Sequence, residues 1–187
     1  MERLLRRAQL PMSMSEGFHP KIRMSFPSAL ALGLAGEEEV IELDFSEPIV
    51  IDDVIARLNR FSMGGLVFHS AKSVSAGRKK STHMASVFEM TIPKESVEIT
   101  THQMTSLLSK SSVLVVKHNV VKHNGKQVDA RSVINTLTLD GCCLKMELGV
   151  TEGADAGFRE ILDQLGLGEQ LFRTIFPIRK KVILADQ

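Results

Sequence analysis

EVIELDF, residues 39–45, alternates Val40, Glu42 and Asp44 with Ile41, Leu43 and Phe45. An extended chain sends successive side chains to opposite faces, so this spacing predicts a half-buried strand. Pro48 punctuates it. IDDVIARLNRF (51–61) follows, with Ile51, Val54, Ile55, Leu58 and Phe61 at helical spacing. Asp52 and Asp53 fall in the first turn, where the helix dipole favours carboxylates. Gly64-Gly65 ends the helix, and LVFHSAKSV (66–74) reads as a further strand.

The same order recurs at an offset of about 104 residues. CCLKMELGV (142–150) is a strand, and IELDF (41–45) sits over MELGV (146–150). Asp155 is a candidate N-cap. Phe158, Ile161, Leu162 and Leu165 make one helix face, with Leu162 over Leu58, and Gly166 is placed to stop the helix. LFRTIFPIRKKVILA (171–185) supplies a last strand, bent or bulged at Pro177. Upstream, the strand SSVLVVKHN (111–119) lies over LPMSMSEGF (10–18), and MTSLLSK (104–110) lies over the opening helix MERLLRRA. A strand SVFEMTIP (86–93) precedes the helix of the second half.

The predicted architecture is therefore α+β: two tandem ferredoxin-like (split βαβ) halves with antiparallel sheets, the first lacking its opening strand. Residues 1–76 form the incomplete half, 77–84 a basic linker and 85–187 the complete half. A missing central strand leaves backbone groups unpaired, at about 1–3 kcal/mol each when buried. The expectation is that the gene begins upstream of Met1; another strand filling the slot is the alternative.

Hydrophobic residues make up 43% of the 187 and charged residues 24%, an ordinary globular balance that sets disordered and fibrous classes aside. The net charge of +1 leaves anion binding to local patches. No apolar run approaches the roughly 20 residues that span a bilayer, and MERLLRRAQL lacks the apolar core of a signal peptide. Cys142 and Cys143 are adjacent, a spacing that disfavours a disulfide. Thiols without an export signal point to the cytoplasm, and no membrane is expected.

Glu2, Arg3, Arg6, Arg7, Leu10, Pro11, Ser15, Gly17, Phe18, Pro20, Lys21 and Phe26 follow an order that resembles the radical-SAM-linked protein family of unknown function (domain of unknown function 2344). The second half matches more loosely, through GKQVDARSVI (125–134) and a terminal R-x-x-x-x-x-R region. Met14 stands where the family carries an aromatic before S-x-G-F. The family's usual basic opening strand has no counterpart, so the resemblance implies an N-terminally truncated member. It also implies a radical-SAM partner, since members occur fused to or encoded beside such proteins.

The chain cannot itself hold a four-iron cluster, which needs three or four spaced thiolates. It has no GxxxxGK[ST] loop, no GxGxxG after a strand and no GxSxG elbow. His118 and His123 flank a turn without a carboxylate or thiolate partner, which ranks zinc below a surface role. No cofactor is expected.

Cations cluster instead. His19, Lys21 and Arg23 sit in one connection, and Lys117, His118, Lys122, His123, Lys126 and Arg131 in its counterpart. GRKKSTH (77–83) and Arg179-Lys180-Lys181 add more. Lys and Arg on paired loops neutralise phosphates, and Phe18 can stack on an unpaired base. The candidate RNA-binding set is Arg6, Arg7, Gly17, Phe18, His19, Lys21, Arg23, Lys122, Lys126 and Arg131. Against it, Asn124-Gly125 is a hairpin turn with solvated flanks, GRKKSTH a linker, and Gly17-Phe18-His19-Pro20 a structural turn, with Phe18 pinned to the core and Gly17 supplying positive φ. Asp129 and Arg131 are an ion-pair candidate. Glu42 and Glu147 read as solvent-exposed, and the nine methionines as core filling.

The expected function is a non-catalytic RNA-recognition module acting with a radical-SAM enzyme, in tRNA or rRNA modification. The alternatives are a stand-alone RNA-processing or transfer enzyme using His19, and a protein scaffold for the radical-SAM partner.

Overall fold

The computed structural model describes residues 1–75, 77–117, 127–150 and 157–185. It is a mixed α+β structure with four α-helices among the described residues. The chain divides into two compact units: unit 1 is Met1–Pro27 with Ile41–Lys80, and unit 2 is Ser28–Val40 with Ser81–Gln187. Residues 28–40 thus leave the first half of the sequence to join the second unit, an assignment that no local pattern announces.

In unit 1, helix α1 (Glu2–Arg7) and helix α2 (Ile51–Phe61) bury Leu4, Leu5, Val54 and Leu58 in one core with Ala8, Leu10 and Ile22. α2 forms where the apolar spacing places it. Asp53 pairs with Arg57 at 2.8 Å one turn on, and Ser62 Oγ donates to Leu58 O at 2.9 Å to close the last turn. Strand β1 (Met24–Ser25) runs antiparallel to strand β3 (Glu42–Leu43), so EVIELDF is extended and paired over only part of its length. Bridges Met12↔Phe45 and Met14↔Ile22 tie residues 12–14 to the same pair. The strand expected over 66–74 does not form. Instead Asn59 grips Phe68 through both its backbone N–H (2.8 Å) and its carbonyl (2.9 Å), and residues 69–75 are exposed.

Unit 2 is built on a five-stranded sheet in the order β2-β9-β4-β8-β7. Here β2 is Ala35–Glu38, β4 His83–Thr91, β7 Ile134–Asp140, β8 Cys143–Gly149 and β9 Ile178–Leu184. The β9-β4, β4-β8 and β8-β7 neighbours are antiparallel, and β2 is parallel to β9. Helices α3 (Val97–Ser109) and α4 (Phe158–Gln164) supply Leu107, Phe158, Ile161 and Leu162 to a core with Phe88, Met90, Leu144 and Met146 from the sheet. The Phe88 and Phe158 rings stack at 5.3 Å. Gly166, at φ +73°, stops α4 as expected and lets Leu167 N–H reach Leu162 O at 2.8 Å.

In unit 2 three elements differ from the sequence reading. Of the apolar stretch 111–119, the described part, 111–117, does not enter the main sheet: its strand β5 (Leu114–Val116) pairs with β6 (Gln127–Asp129) in a separate two-stranded sheet. The strand beside β8 is β7, INTLTLD, whose alternation is masked by threonines. The last strand begins only at Ile178. Residues 171–175 form a turn closed by Phe172 N–H to Ile175 O at 2.8 Å.

Candidate nucleic-acid interface

The S-x-G-F-x-P motif is a tight loop at the end of the Met14↔Ile22 bridge. Ser15 braces it twice, donating its backbone N–H to Lys21 O (2.8 Å) and accepting Lys21 N–H on Oγ (2.9 Å). Gly17 turns the chain at φ +114°, a region that costs an L side chain strain, and a Cβ there would meet nothing within 4 Å. The bracing therefore fixes the loop without giving Phe18 a floor, and its ring is fully exposed at 102%. The reading of Phe18 as pinned to the core does not hold. His19 and Lys21 flank it, both exposed.

Several other cations of the candidate set have protein partners. Arg6 bonds Glu2 through Nε (3.2 Å) and Nη2 (2.8 Å), and this guanidinium, with Lys21 contributing further, holds the Glu2 carboxyl below its usual range. Arg7 donates to Phe61 O at 3.2 Å, which ties α1 to the end of α2. Arg23 pairs with Asp44 at 3.1 Å, across the β1–β3 ladder. All three stay largely solvent-facing, so these pairs orient the guanidinium groups at little energetic gain.

In unit 2, the expected side-chain ion pair between Asp129 and Arg131 is not among the described contacts. Asp129 Oδ1 accepts the backbone N–H groups of Val113 and Arg131, both at 2.9 Å, and these, led by Val113, lower its carboxyl pKa. The Arg131 side chain turns inward to Ile134 O (3.3 Å), so it braces the start of β7. Lys122, Lys126, His118 and His123 lie outside the described residues.

The terminal cluster Arg179-Lys180-Lys181 is structural in its first two members. Arg179, 4% exposed, forks onto Glu39 through Nε (2.7 Å) and Nη2, and donates to Ser28 Oγ (2.9 Å), Ala29 O (3.3 Å) and Ser28 O (2.9 Å). Lys180 pairs with Glu37 at 2.5 Å, and that bond raises its pKa. Lys145 pairs with Glu89 at 3.1 Å to the same effect. Glu42 and Glu147 are half-buried rather than free, accepting from Ser25 Oγ and Asn135 Nδ2 respectively, each at 2.9 Å. Sequence reasoning missed the Glu39–Arg179 clamp. Its one signal was the complementary pair of runs GEEE (36–39) and IRKK (178–181).

The division of charge follows the units. Unit 1 holds eleven Lys and Arg against seven Asp and Glu, and unit 2 twelve against fifteen. By net charge, unit 1 is the unit that attracts a polyanion. Among the described residues no group of three His, Cys, Asp or Glu could hold a metal ion, and no helix is long and apolar enough to cross a membrane.

Fold and site together define an α+β protein of two compact units whose candidate site is a braced, solvent-facing aromatic loop. The chain belongs to the family described as "Uncharacterized protein conserved in bacteria (DUF2344)", whose model matches residues 1–157. Neither the curated proteins nor the solved structures contain a match to it.

Proposed function

We propose that this chain is a non-catalytic RNA-recognition module that works beside a radical-SAM enzyme in the cytoplasm, in tRNA or rRNA modification. The observation that carries the reading is Phe18: a fully exposed ring on a loop held at both ends by Ser15. A fully exposed ring adds nothing to the core, and the braced loop leaves both its faces open to a partner. A ring with free faces stacks on an unpaired base, and Lys21 and Arg23 beside it suit the phosphates that flank such a base. The cation excess of unit 1 supports the same assignment.

The radical-SAM partner rests on the resemblance of residues 2–26 to the radical-SAM-linked family. The architecture behind the reading is a duplicated split βαβ design. It is supported by the order β9-β4-β8-β7 with antiparallel neighbours, and by the helix–strand–strand–helix order of unit 1.

Anisotropy of labelled tRNA tests it. Binding should weaken as salt rises, and Lys21→Ala should flatten the log–log salt slope by about 0.7–1. Phe18→Ala should lose about 1–3 kcal/mol, roughly 5- to 150-fold in Kd. Binding that ignores both substitutions discards the reading. Co-purification of a radical-SAM protein with no nucleic acid would favour a scaffold instead.

A further inference from the structure

Residues 28–40 form an arm whose neighbours in sequence, up to Pro27 and from Ile41, belong to unit 1 while the arm itself is built into unit 2. Its strand β2 adds to the edge of β9 in parallel register, Ala35 opposite Ile178, Gly36 opposite Arg179 and Glu38 opposite Lys181. The surface receiving it is shaped for this segment. The buried Arg179 fork takes the Glu39 carboxylate and the Ser28 carbonyl, and Lys180 takes Glu37. Gly36 leaves the space into which Glu39 folds back, since a Cβ there would lie 2.6 Å from Glu39 Oε1. Phe172, held at φ +60°, lays its ring on Gly33 so closely that a Cβ would fall 3.0 Å from Cζ. Arg159 lies 5.1 Å from that ring and donates to Leu32 O at 3.4 Å. Left-handed backbone at a phenylalanine persists only where its surroundings impose it.

We propose that the edge of β9, with Arg179 near its start, is an acceptor site for an extended acidic strand, and that the arm of a second copy of this chain occupies it when the chain's own arm is displaced. A bidentate guanidinium selects a planar carboxylate, and a parallel ladder selects direction, so the site reads both charge and polarity of the strand. A second copy carries the same residues 28–40. The contacts in cis and in trans are therefore identical, and the two differ only in connectivity. Tethering gives the chain's own arm an effective concentration on the order of millimolar, so exchange emerges near that concentration or once the cis arm is weakened. This inference is independent of RNA binding.

The test uses the full chain and a fluorescein-labelled peptide of residues 28–40. Glu39→Ala disables the cis arm and leaves the acceptor intact, so this variant should bind the peptide at least tenfold tighter than the native chain, whose own arm competes. Arg179→Lys added to Glu39→Ala keeps the charge but loses the fork, and should weaken peptide binding at least tenfold. Mixed Glu39→Ala and Arg179→Ala chains should form a complex of twice the monomer mass by light scattering, whereas each alone stays monomeric. Equal peptide binding with and without Arg179 overturns the proposal. So does no peptide binding by a Glu39→Ala chain whose far-UV circular dichroism is native.

Discussion

Replacing Glu39 by alanine removes two of the five hydrogen bonds of Arg179 and strands a guanidinium whose side chain is 5% exposed among neutral acceptors. Breaking a buried ion pair from one side costs about 3–5 kcal/mol, because the remaining charge stays desolvated. The Glu39 side chain is 30% exposed, so water reaches the vacated position and screens the loss down to about 2–4 kcal/mol. For a unit of this size that corresponds to a fall in Tm of about 8–16 °C. The chain has neither Trp nor Tyr, so urea unfolding is followed by far-UV circular dichroism. The double variant Glu39→Ala/Arg179→Met should recover part of the loss, giving a coupling energy of at least about 2 kcal/mol in the double-mutant cycle. A loss below about 1 kcal/mol with an unchanged denaturant slope would refute the reasoning. It would mean that the arm undocks at little cost and that Arg179 is hydrated in the native ensemble.

Gly33→Ala meets both a left-handed backbone (φ +86°) and the Phe172 ring, and should cost about 1–3 kcal/mol in urea unfolding. Gly17→Ala meets only the backbone term, so about 1 kcal/mol is expected, with Phe18 still displayed. Ile161→Ala, at a fully buried position of α4, should cost about 2–5 kcal/mol by thermal unfolding. Burial pushes the His83 pKa below 6.5, with Arg179 acting in the same direction and the backbone of Ala85 opposing it. The unfolded chain then binds the proton more readily than the fold does, so stability falls as pH drops below about 6.5. His83→Gln should flatten that slope between pH 7 and 5, and an unchanged slope would assign it to other groups.

Much of the secondary structure was legible because it is local. The apolar spacing of 51–61 and 158–165, the alternation of 142–150 and the stop at Gly166 need only neighbours within a few turns of chain. The S-x-G-F-x-P motif likewise marked a turn, since Gly17 and Pro20 constrain their own backbone. What the motif could not say was whether Phe18 faced the core or water. That depends on what the rest of the fold packs against the ring, and the ring is fully exposed.

Tertiary structure alone decided which strands share a sheet. LVV at 114–116 is more apolar than INTLTLD, yet β7 takes the place beside β8. The short Gly141 turn brings 134–140 back against 143–149 at the smallest loop-closure cost. It also decided where residues 28–40 belong. The Glu39–Arg179 clamp joins residues 140 apart in sequence, and an interaction of that separation leaves no periodic trace in either segment. Local pattern records what each stretch of chain buries against itself. Desolvation of one guanidinium by a distant carboxylate is recorded only once the chain has folded.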